Sequence, residues 1–303
     1  SITTPQSVTQ IGTTGGTYSA TPAGLSINAS NGAITPSTSN AGTYTVTYTI
    51  AASGDCPART TTASVTIVAP PVAGTLSGIQ AVCSNGTTTF SSSISGGTWS
   101  SSNTSVATIN ANSGLITPVS AGTATMTYTV LGTGGCANAS ATRDVTVTTL
   151  PSASISYAGP FCTSLSTPQN VTLIGFTGGV FSSTAGLAIN VTNGDVTPST
   201  STPGNYTVTY TIAASGGCTA VNATTVVSIN TNPNATISYP SIICRENNTL
   251  VNSILSGTIG GSFSSTTGLS INSTTGAITP SSSSPGTYTV NYTIASGGGC
   301  NSF

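Results

Sequence analysis

Charge is what this chain has least of. Its 303 residues include three basic residues, four acidic residues and no histidine, and the basic residues are all arginines (Arg59, Arg143 and Arg245). Ordinary soluble proteins are about 25% charged. Nucleic acids and anionic lipid surfaces attract clustered Lys and Arg, so we expect neither as a partner. We expect serine, threonine, asparagine and glycine to form the solvent-exposed surface in place of charged residues.

The lack of His and Lys also argues against catalysis. General bases and activated nucleophiles near neutral pH depend mostly on such groups, and the few carboxylates, such as Asp55 and Asp195, are far apart in sequence. Zinc sites need His or closely spaced Cys, and calcium sites need clustered carboxylates. We therefore predict no catalytic residue, no cofactor and no metal. We expect Asp144 beside Arg143, and Glu246 beside Arg245, to form local ion pairs.

No stretch of the chain is continuously apolar for long enough to span a membrane, because its hydrophobic residues alternate with threonine. The same alternation of β-branched residues, with little net charge, favours a folded chain over a disordered one.

A block of sequence recurs four times at intervals of about 80 residues. Each copy opens on a Gly-Gly pair, at Gly15, Gly96, Gly178 and Gly260, and ends on a cysteine. Prolines at Pro71, Pro151 and Pro233 mark the linkers. The predicted repeats are repeat 1 (1–70, lacking its first strand), repeat 2 (71–150), repeat 3 (151–232) and repeat 4 (233–303, lacking its last strand).

The seven cysteines fall at two positions of the repeat. The first cysteines are Cys83, Cys162 and Cys244, and the second cysteines are Cys56, Cys136, Cys218 and Cys300. Aligning Ser1–Val8 with Ser164–Val171 places the missing first cysteine of repeat 1 just upstream of the chain. Repeat 4 has no counterpart of Ala220–Asn230. We expect the array to be a window on a longer chain. The alternative, strands donated between copies, is less favoured because no spare strand is left to donate.

The clearest strand is Thr43–Ile50, where Tyr and Val or Ile alternate strictly with Thr. Its counterparts are Thr123–Val130, Asn205–Ile212 and Thr287–Ile294. With turn signals every 8–12 residues and no helical periodicity, the pattern predicts an all-β fold: four immunoglobulin-like antiparallel β-sandwiches in tandem, the first and last incomplete. The predicted core anchors are aromatic residues of two strands in each repeat: Tyr18, Trp99, Phe181, Phe263, Tyr48, Tyr128, Tyr210 and Tyr292.

Asn-Gly or an equivalent pair at Gly32, Gly114, Gly194 and Gly276 is expected to supply the positive backbone angles of a tight hairpin. A proline follows each hairpin and is expected to end its second strand.

We expect one disulfide inside each repeat, because a pair recurs in each and small extracellular domains often add a bridge. The expected pairs are Cys83–Cys136, Cys162–Cys218 and Cys244–Cys300, with Cys56 paired to a cysteine upstream of the chain. Bridges between repeats, or buried free thiols, are the alternatives.

The segment Thr98–Val130 resembles the group 2 bacterial immunoglobulin-like domain, through Trp99, Val106, Ile109, Gly114, Ile116 and Gly122. The other repeats resemble those of very large surface proteins of Bacteroidetes, including gliding-motility adhesins. The resemblance implies export, by the type IX system, and an extracellular or cell-surface location.

The expected function is a non-catalytic stalk or fibre section of a secreted or cell-surface bacterial adhesin. One alternative is a self-associating extracellular filament subunit, which the nearly uncharged surface permits. Another is a carbohydrate- or ice-binding repeat, in which the threonine ladders would face the ligand. The candidate partners are other copies of the chain, surface glycans or other cells.

Overall fold

The chain divides into two units, both built from β-strands. The structure is a computed structural model and describes residues 2–303. The first unit runs to Leu150 and also includes Gly216–Cys218, and the second comprises residues 151–215 and 219–303. The all-β, tandem immunoglobulin-like prediction is confirmed.

The described part of the first unit, which starts at residue 2, contains twelve strands in four sheets. The strands are β1 (Thr17–Thr21), β2 (Gly42–Ile50), β3 (Arg59–Ile67), β4 (Leu76–Ser77), β5 (Ala81–Cys83), β6 (Thr88–Thr89), β7 (Ser91–Ser92), β8 (Thr98–Ser101), β9 (Ala107–Ile109), β10 (Leu115–Pro118), β11 (Gly122–Val130) and β12 (Ala139–Thr148). The sheet orders are β1-β2-β3, β5-β12-β11-β8, β6-β10-β9 and β4-β7. In repeat 2, Met126 and Val145 of the four-stranded sheet share one buried core with Ile116 of the opposite layer.

The second unit contains ten strands, also in four sheets. The strands are β13 (Ala153–Ser156), β14 (Phe161–Cys162), β15 (Thr172–Gly175), β16 (Val180–Ser183), β17 (Gly204–Ile212), β18 (Val221–Asn230), β19 (Ala235–Ser238), β20 (Ile254–Gly257), β21 (Ser262–Ser265) and β22 (Val290–Thr293). The sheet orders are β14-β18-β17-β16, β13-β15, β19-β20 and β21-β22.

The long strands have the predicted alternation. In β17, Tyr206, Val208, Tyr210 and Ile212 are buried, while the threonines between them are exposed or half-exposed. Side chains on a strand point alternately to the two faces of the sheet, so the apolar set lies on the core face. The threonine ladder lies on the outer face.

The Gly-Gly pair that opens each block is followed, after one residue, by an aromatic residue. This Gly-Gly-x-aromatic motif joins two strands of each repeat through an aromatic pair. The ring centroids of these cross-strand pairs are 4.6–4.9 Å apart, for Tyr18–Tyr48, Trp99–Tyr128, Phe181–Tyr210 and Phe263–Tyr292. All of these rings are buried except those of Tyr48 and Tyr292, which are partly exposed.

The second glycine of the motif is required by this aromatic pair. The Gly179 N–H donates to the Tyr210 hydroxyl at 2.7 Å, and a Cβ at Gly179 would lie 2.6 Å from the Tyr210 ring. The motif therefore needs a residue without a side chain at this point.

The predicted tight hairpin is a longer loop. Only the glycine has a positive φ (74° at Gly32), whereas a two-residue type I′ turn needs two such residues. The loop is closed by the Gly32 N–H donating to the Asn28 carbonyl, and the Asn28 side chain accepts the N–H groups of Ser30 and Asn31. The Asn28 side chain thus stabilises the loop, which needs no second residue of positive φ.

The proline after each hairpin has a role that differs among the repeats. Pro36, Pro198 and Pro280 begin short 3₁₀ helices (Pro36–Thr38, Pro198–Thr200 and Pro280–Ser282), whereas Pro118 is the last residue of β10. Proline is tolerated at the first position of a helix because that N–H has no partner there.

Candidate functional site: the disulfide junctions

The structure corrects the expected cysteine pairing. Cys83 is bonded to Cys218 and Cys162 to Cys300, with sequence separations of 135 and 138 residues. Each bridge joins the first cysteine of one repeat to the second cysteine of the next repeat. The intradomain pairs Cys83–Cys136, Cys162–Cys218 and Cys244–Cys300 are absent from residues 2–303, and Cys56, Cys136 and Cys244 are free.

Strand geometry explains why the expected pairs do not form. In repeat 2, Cys83 lies opposite Thr148 at the end of β12, whereas Cys136 comes three residues before the strand begins. A ten-residue strand is about 30 Å long at ~3.3 Å per residue. A disulfide needs Cα atoms within about 7 Å, so the two cysteines of one repeat lie too far apart.

The Cys83–Cys218 junction is built around the end of β12. Strand β5 runs parallel to β12, and the Ser84 N–H donates to the Thr148 carbonyl at 2.8 Å. The sulfur of Cys218 lies 3.7 Å from that same carbonyl oxygen. The two cysteines therefore meet where β5 and β12 end side by side, with Cα atoms 4.6 Å apart.

The Cys162–Cys300 junction has the same construction at the end of β18. Cys162 is fully buried and pairs with Asn230 in a parallel register, and the Cα atoms of the bridge are 4.9 Å apart. The Asn230 side chain donates to the Gly298 carbonyl at 2.7 Å. This hydrogen bond holds the loop that carries Cys300 against the strand end.

A glycine with positive φ precedes the second cysteine at each bridge. A Cβ at Gly217 would lie 2.5 Å from the Ala81 carbonyl oxygen, and one at Gly299 would collide with the Pro160 carbonyl. The backbone at the start of β5, and the backbone just before β14, therefore approach the cysteine loop as closely as only glycine permits. The Gly-Gly-Cys sequence that recurs at Cys136, Cys218 and Cys300 is the local signal for this contact.

Two tyrosines tie the first strand to the hairpin loop in repeats 3 and 4. Tyr157 donates to the Gly194 carbonyl, and Tyr239 donates to the Gly276 carbonyl. Desolvation by burial, followed by the nearby Asp195 carboxylate, raises the pKa of Tyr157 to about 12. Desolvation also raises the pKa of Tyr239. Both groups are therefore neutral hydrogen-bond donors at physiological pH.

The expected ion pairs are absent from the part of the chain that the structure describes. Arg143 instead donates to the Leu76 and Gly78 carbonyls and lies over the Phe90 ring, 5.4 Å from its centroid. Asp144 accepts from the Thr125 hydroxyl at 2.7 Å. Successive residues on a strand point to opposite faces, so Arg143 and Asp144 of β12 cannot meet.

Within residues 2–303, no three His, Cys, Asp or Glu side chains come together as a metal site. Over the same residues, no helix is both long and apolar enough to cross a membrane.

One family model matches part of the chain. Residues 60–139 match the bacterial Ig-like domain (group 2). The matched stretch begins in β3 and ends at the start of β12, so it includes the segment Thr98–Val130 that carries the resemblance. No curated protein matches the chain.

Several solved structures are similar to the chain at low identity. A protocadherin gammaB7 structure of domains EC3–6 has 14% identity and a TM-score of 0.34, covering 90% of this chain and 86% of that one. Drosophila N-cadherin EC1–4 has 10% identity and a TM-score of 0.29, covering 95% and 91%. BT4661, a SusE-like surface-located polysaccharide-binding protein of Bacteroides thetaiotaomicron, has 13% identity and a TM-score of 0.24, covering 94% and 65%. Scores this low carry no argument about role.

Proposed function

We propose that the chain is a non-catalytic, load-bearing section of a secreted or cell-surface bacterial adhesin, made of four immunoglobulin-like repeats. The observation that carries the proposal is the pairing of cysteines between consecutive repeats. Disulfides persist in oxidising compartments outside the cytoplasm, which supports the extracellular location. The candidate partners, namely other copies, surface glycans and other cells, belong to this proposal.

The bridges shorten the covalent path that a pulling force follows. Between the chain ends that path runs to Cys83, crosses to Cys218, returns to Cys162 and crosses to Cys300. Residues 84–161 and 219–299 lie outside it. At ~3.5 Å per extended residue, the oxidised chain can extend to roughly 500 Å and the reduced chain to roughly 1,050 Å. When repeat 2 or repeat 4 of such a stalk unfolds, most of its residues stay outside the path that bears the load.

Single-molecule pulling from the two chain ends tests this proposal. We expect the maximal extension to double, to roughly 1,050 Å, when a reductant is added. Cys218→Ser opens one bridge, after which the path runs directly to Cys162. It should lengthen the oxidised chain by roughly 80 Å.

The matched control is Cys136→Ser, which removes a free thiol of the same repeat position. We expect it to leave the extension unchanged. A gain of roughly 190 Å in this variant would show that Cys136 is bonded to Cys83 and would contradict the load path.

A further inference from the structure

The sequence distance between the cysteines does not favour the pairs that form. Cys218 lies 56 residues from Cys162 and 135 residues from its partner Cys83. Because the probability of closing a loop in an unfolded chain falls with roughly the 3/2 power of its length, chain statistics favour Cys162 about fourfold. Cys300 is likewise bonded to a cysteine 138 residues away, although Cys244 is much nearer in sequence. Contacts made on folding therefore select the partner.

A turn of two glycines presents the second cysteine at each bridge. Gly216 and Gly217 have φ of 58° and 83°, and Gly298 and Gly299 have φ of 58° and 80°. Positive φ at both central residues is what a two-residue type I′ turn requires. The Cys300 N–H closes its turn by donating to the carbonyl three residues earlier, at 2.9 Å. Each of these cysteines thus directly follows a tight turn that only glycine forms easily.

The tip of each turn packs against the end of an earlier strand pair, β5 with β12 or β14 with β18. A Cβ at Gly217 would lie 2.5 Å from a carbonyl oxygen of β5, and one at Gly216 would collide with the Thr148 side chain. At the other bridge, a Cβ at Gly298 would lie 2.7 Å from the side-chain nitrogen of Asn230. These contacts involve no sulfur atom, so they can form before the disulfide does.

Other glycines of positive φ have no such neighbours. Gly178 has a φ of 96°, and a Cβ there would meet no atom within 4 Å. Gly260, its equivalent in repeat 4, has a φ of 92° and is equally open. Close packing at Gly217 and Gly299 therefore does not follow from the backbone conformation of glycine alone. It marks two surfaces that fit each other.

We propose that each two-glycine turn docks on the preceding repeat without help from the disulfide, and that this docking selects the cysteine partner. The docked turn holds the Cys218 sulfur 3.7 Å from the Thr148 carbonyl oxygen, beside Cys83. Placing two thiols side by side raises their effective concentration, which outweighs the roughly fourfold advantage of the cysteine nearer in sequence. The glycines are thus positioning residues for oxidation. This docking does not depend on the load-bearing role.

The bond then forms by thiol–disulfide exchange, with a small-molecule disulfide as the oxidant. Both cysteines first lose their protons to water. The Cys218 thiolate attacks the small disulfide, forms a mixed disulfide and releases one small thiolate. The Cys83 thiolate then attacks the Cys218 sulfur, and the second small thiolate leaves with the electron pair. For each protein bridge, one small disulfide is reduced to two thiols.

Alkylation of Cys218 in a chain without its partner tests the docking. In the full chain with Cys83→Ser, iodoacetamide should alkylate Cys218 at least about tenfold more slowly than in the urea-unfolded chain, because a docked thiol reacts only when the turn opens. Adding Gly217→Asn should raise the rate close to that of the unfolded chain, since the new Cβ prevents docking. Asparagine is chosen because it adopts positive φ more readily than most other residues. Peptide mapping identifies the alkylated site.

The matched control is Gly178→Asn in the same Cys83→Ser chain. It adds a Cβ in open space at a similar φ and should leave the rate at Cys218 unchanged. Hydrogen exchange of the β17 amides verifies that repeat 3 stays folded in each variant. Equal acceleration by both asparagine variants, or none by either, would overturn the proposal. Rapid alkylation of Cys218 in the folded Cys83→Ser chain would do the same.

The second bridge provides an independent test. In the Cys162→Ser chain, Cys300 should be protected in the same way, and Gly299→Asn should remove that protection. This junction decides the matter if Gly217→Asn unfolds repeat 3. An unprotected Cys300 here would contradict the proposal, because the two turns are built alike.

Discussion

Repeats 3 and 4 have nearly the same long-strand sequence and yet differ in how that strand is built. Asn205–Ile212 lies in the nine-residue β17, whereas only Val290–Thr293 of the counterpart Thr287–Ile294 forms a strand. Strand β18 pairs with β17 along its whole length, but β22 pairs only with β21 within the described residues. Tyr210 is 1% exposed, and Tyr292 is partly exposed. Alternation thus decides which face is apolar, and the neighbouring strand decides how much of it is buried.

Replacing the tyrosine of the aromatic pair should give the largest difference in unfolding free energy between the two repeats. Tyr210→Ala removes a fully buried ring and should lower the free energy of unfolding of repeat 3 by about 3–5 kcal/mol. Tyr292→Ala removes a partly exposed ring and should cost about half as much in repeat 4. Native-state hydrogen exchange of the β16 and β21 amides measures the two losses separately. Equal losses would mean that the last strand does not govern burial.

The Cys162–Cys300 bridge links these two repeats, and its loss should be the next largest effect. Cys300→Ser should lower the free energy of unfolding by about 2–4 kcal/mol, because the unfolded chain is no longer constrained. Denaturant unfolding of the oxidised protein measures it. Cys244→Ser removes an exposed free thiol and should change the value by less than ~0.5 kcal/mol. A similar cost in both variants would argue against the observed pairing.

A tyrosine hydroxyl near the start of the long strand provides a finer comparison. Tyr206 donates to the Thr202 carbonyl at 2.6 Å, and Tyr288 donates to the Ser284 carbonyl at 2.7 Å. Tyr206→Phe should cost about 1 kcal/mol, as a buried hydrogen bond does. Tyr288→Phe should cost less because water reaches that bond. Urea unfolding of each variant measures the two losses of unfolding free energy. Equal losses would contradict this prediction.

The smallest expected effect is a loss of stability at alkaline pH. The pKa of Tyr157 is raised to about 12 in the folded protein from its usual 10.0, so its stabilising contribution is complete below pH 10. That contribution falls as the pH rises from 10 towards 12. In the Tyr157→Phe variant, the free energy of unfolding should fall less steeply as the pH rises from 10 towards 12.

Alkylating the free thiols first prevents disulfide exchange in these alkaline measurements. Tyr239→Phe is the matched variant in repeat 4. It should also reduce the loss of unfolding free energy at alkaline pH, because the pKa of Tyr239 is raised as well. An unchanged slope in the Tyr157 variant would show that the phenol is not held in its neutral form.

Much of the fold could be predicted because it depends on local sequence. The strict alternation in Thr43–Ile50 predicted the face of each side chain, and the Gly-Gly-x-aromatic motif identified the anchors Trp99 and Phe181. The number of paired residues in β22 could not be predicted in the same way, because it depends on a partner strand. The division into four repeats with the stated bounds stays a prediction.

The disulfide pairing could not be found from spacing alone. A separation of 53 residues between Cys83 and Cys136 says nothing about which end of a strand each one occupies. The parallel pairing of β5 with the far end of β12 decides it, and that contact is made by residues distant in sequence. The glycines before Cys218 and Cys300 were the local signal that a backbone approaches there.

Disulfide mapping of the oxidised protein tests the load-path account most directly. Pepsin digestion at low pH, which prevents disulfide exchange, should release one linked peptide pair containing Cys83 and Cys218 and another containing Cys162 and Cys300. Cys56, Cys136 and Cys244 should be recovered as free thiols. Linked pairs of Cys83 with Cys136, or of Cys162 with Cys218, would contradict the account.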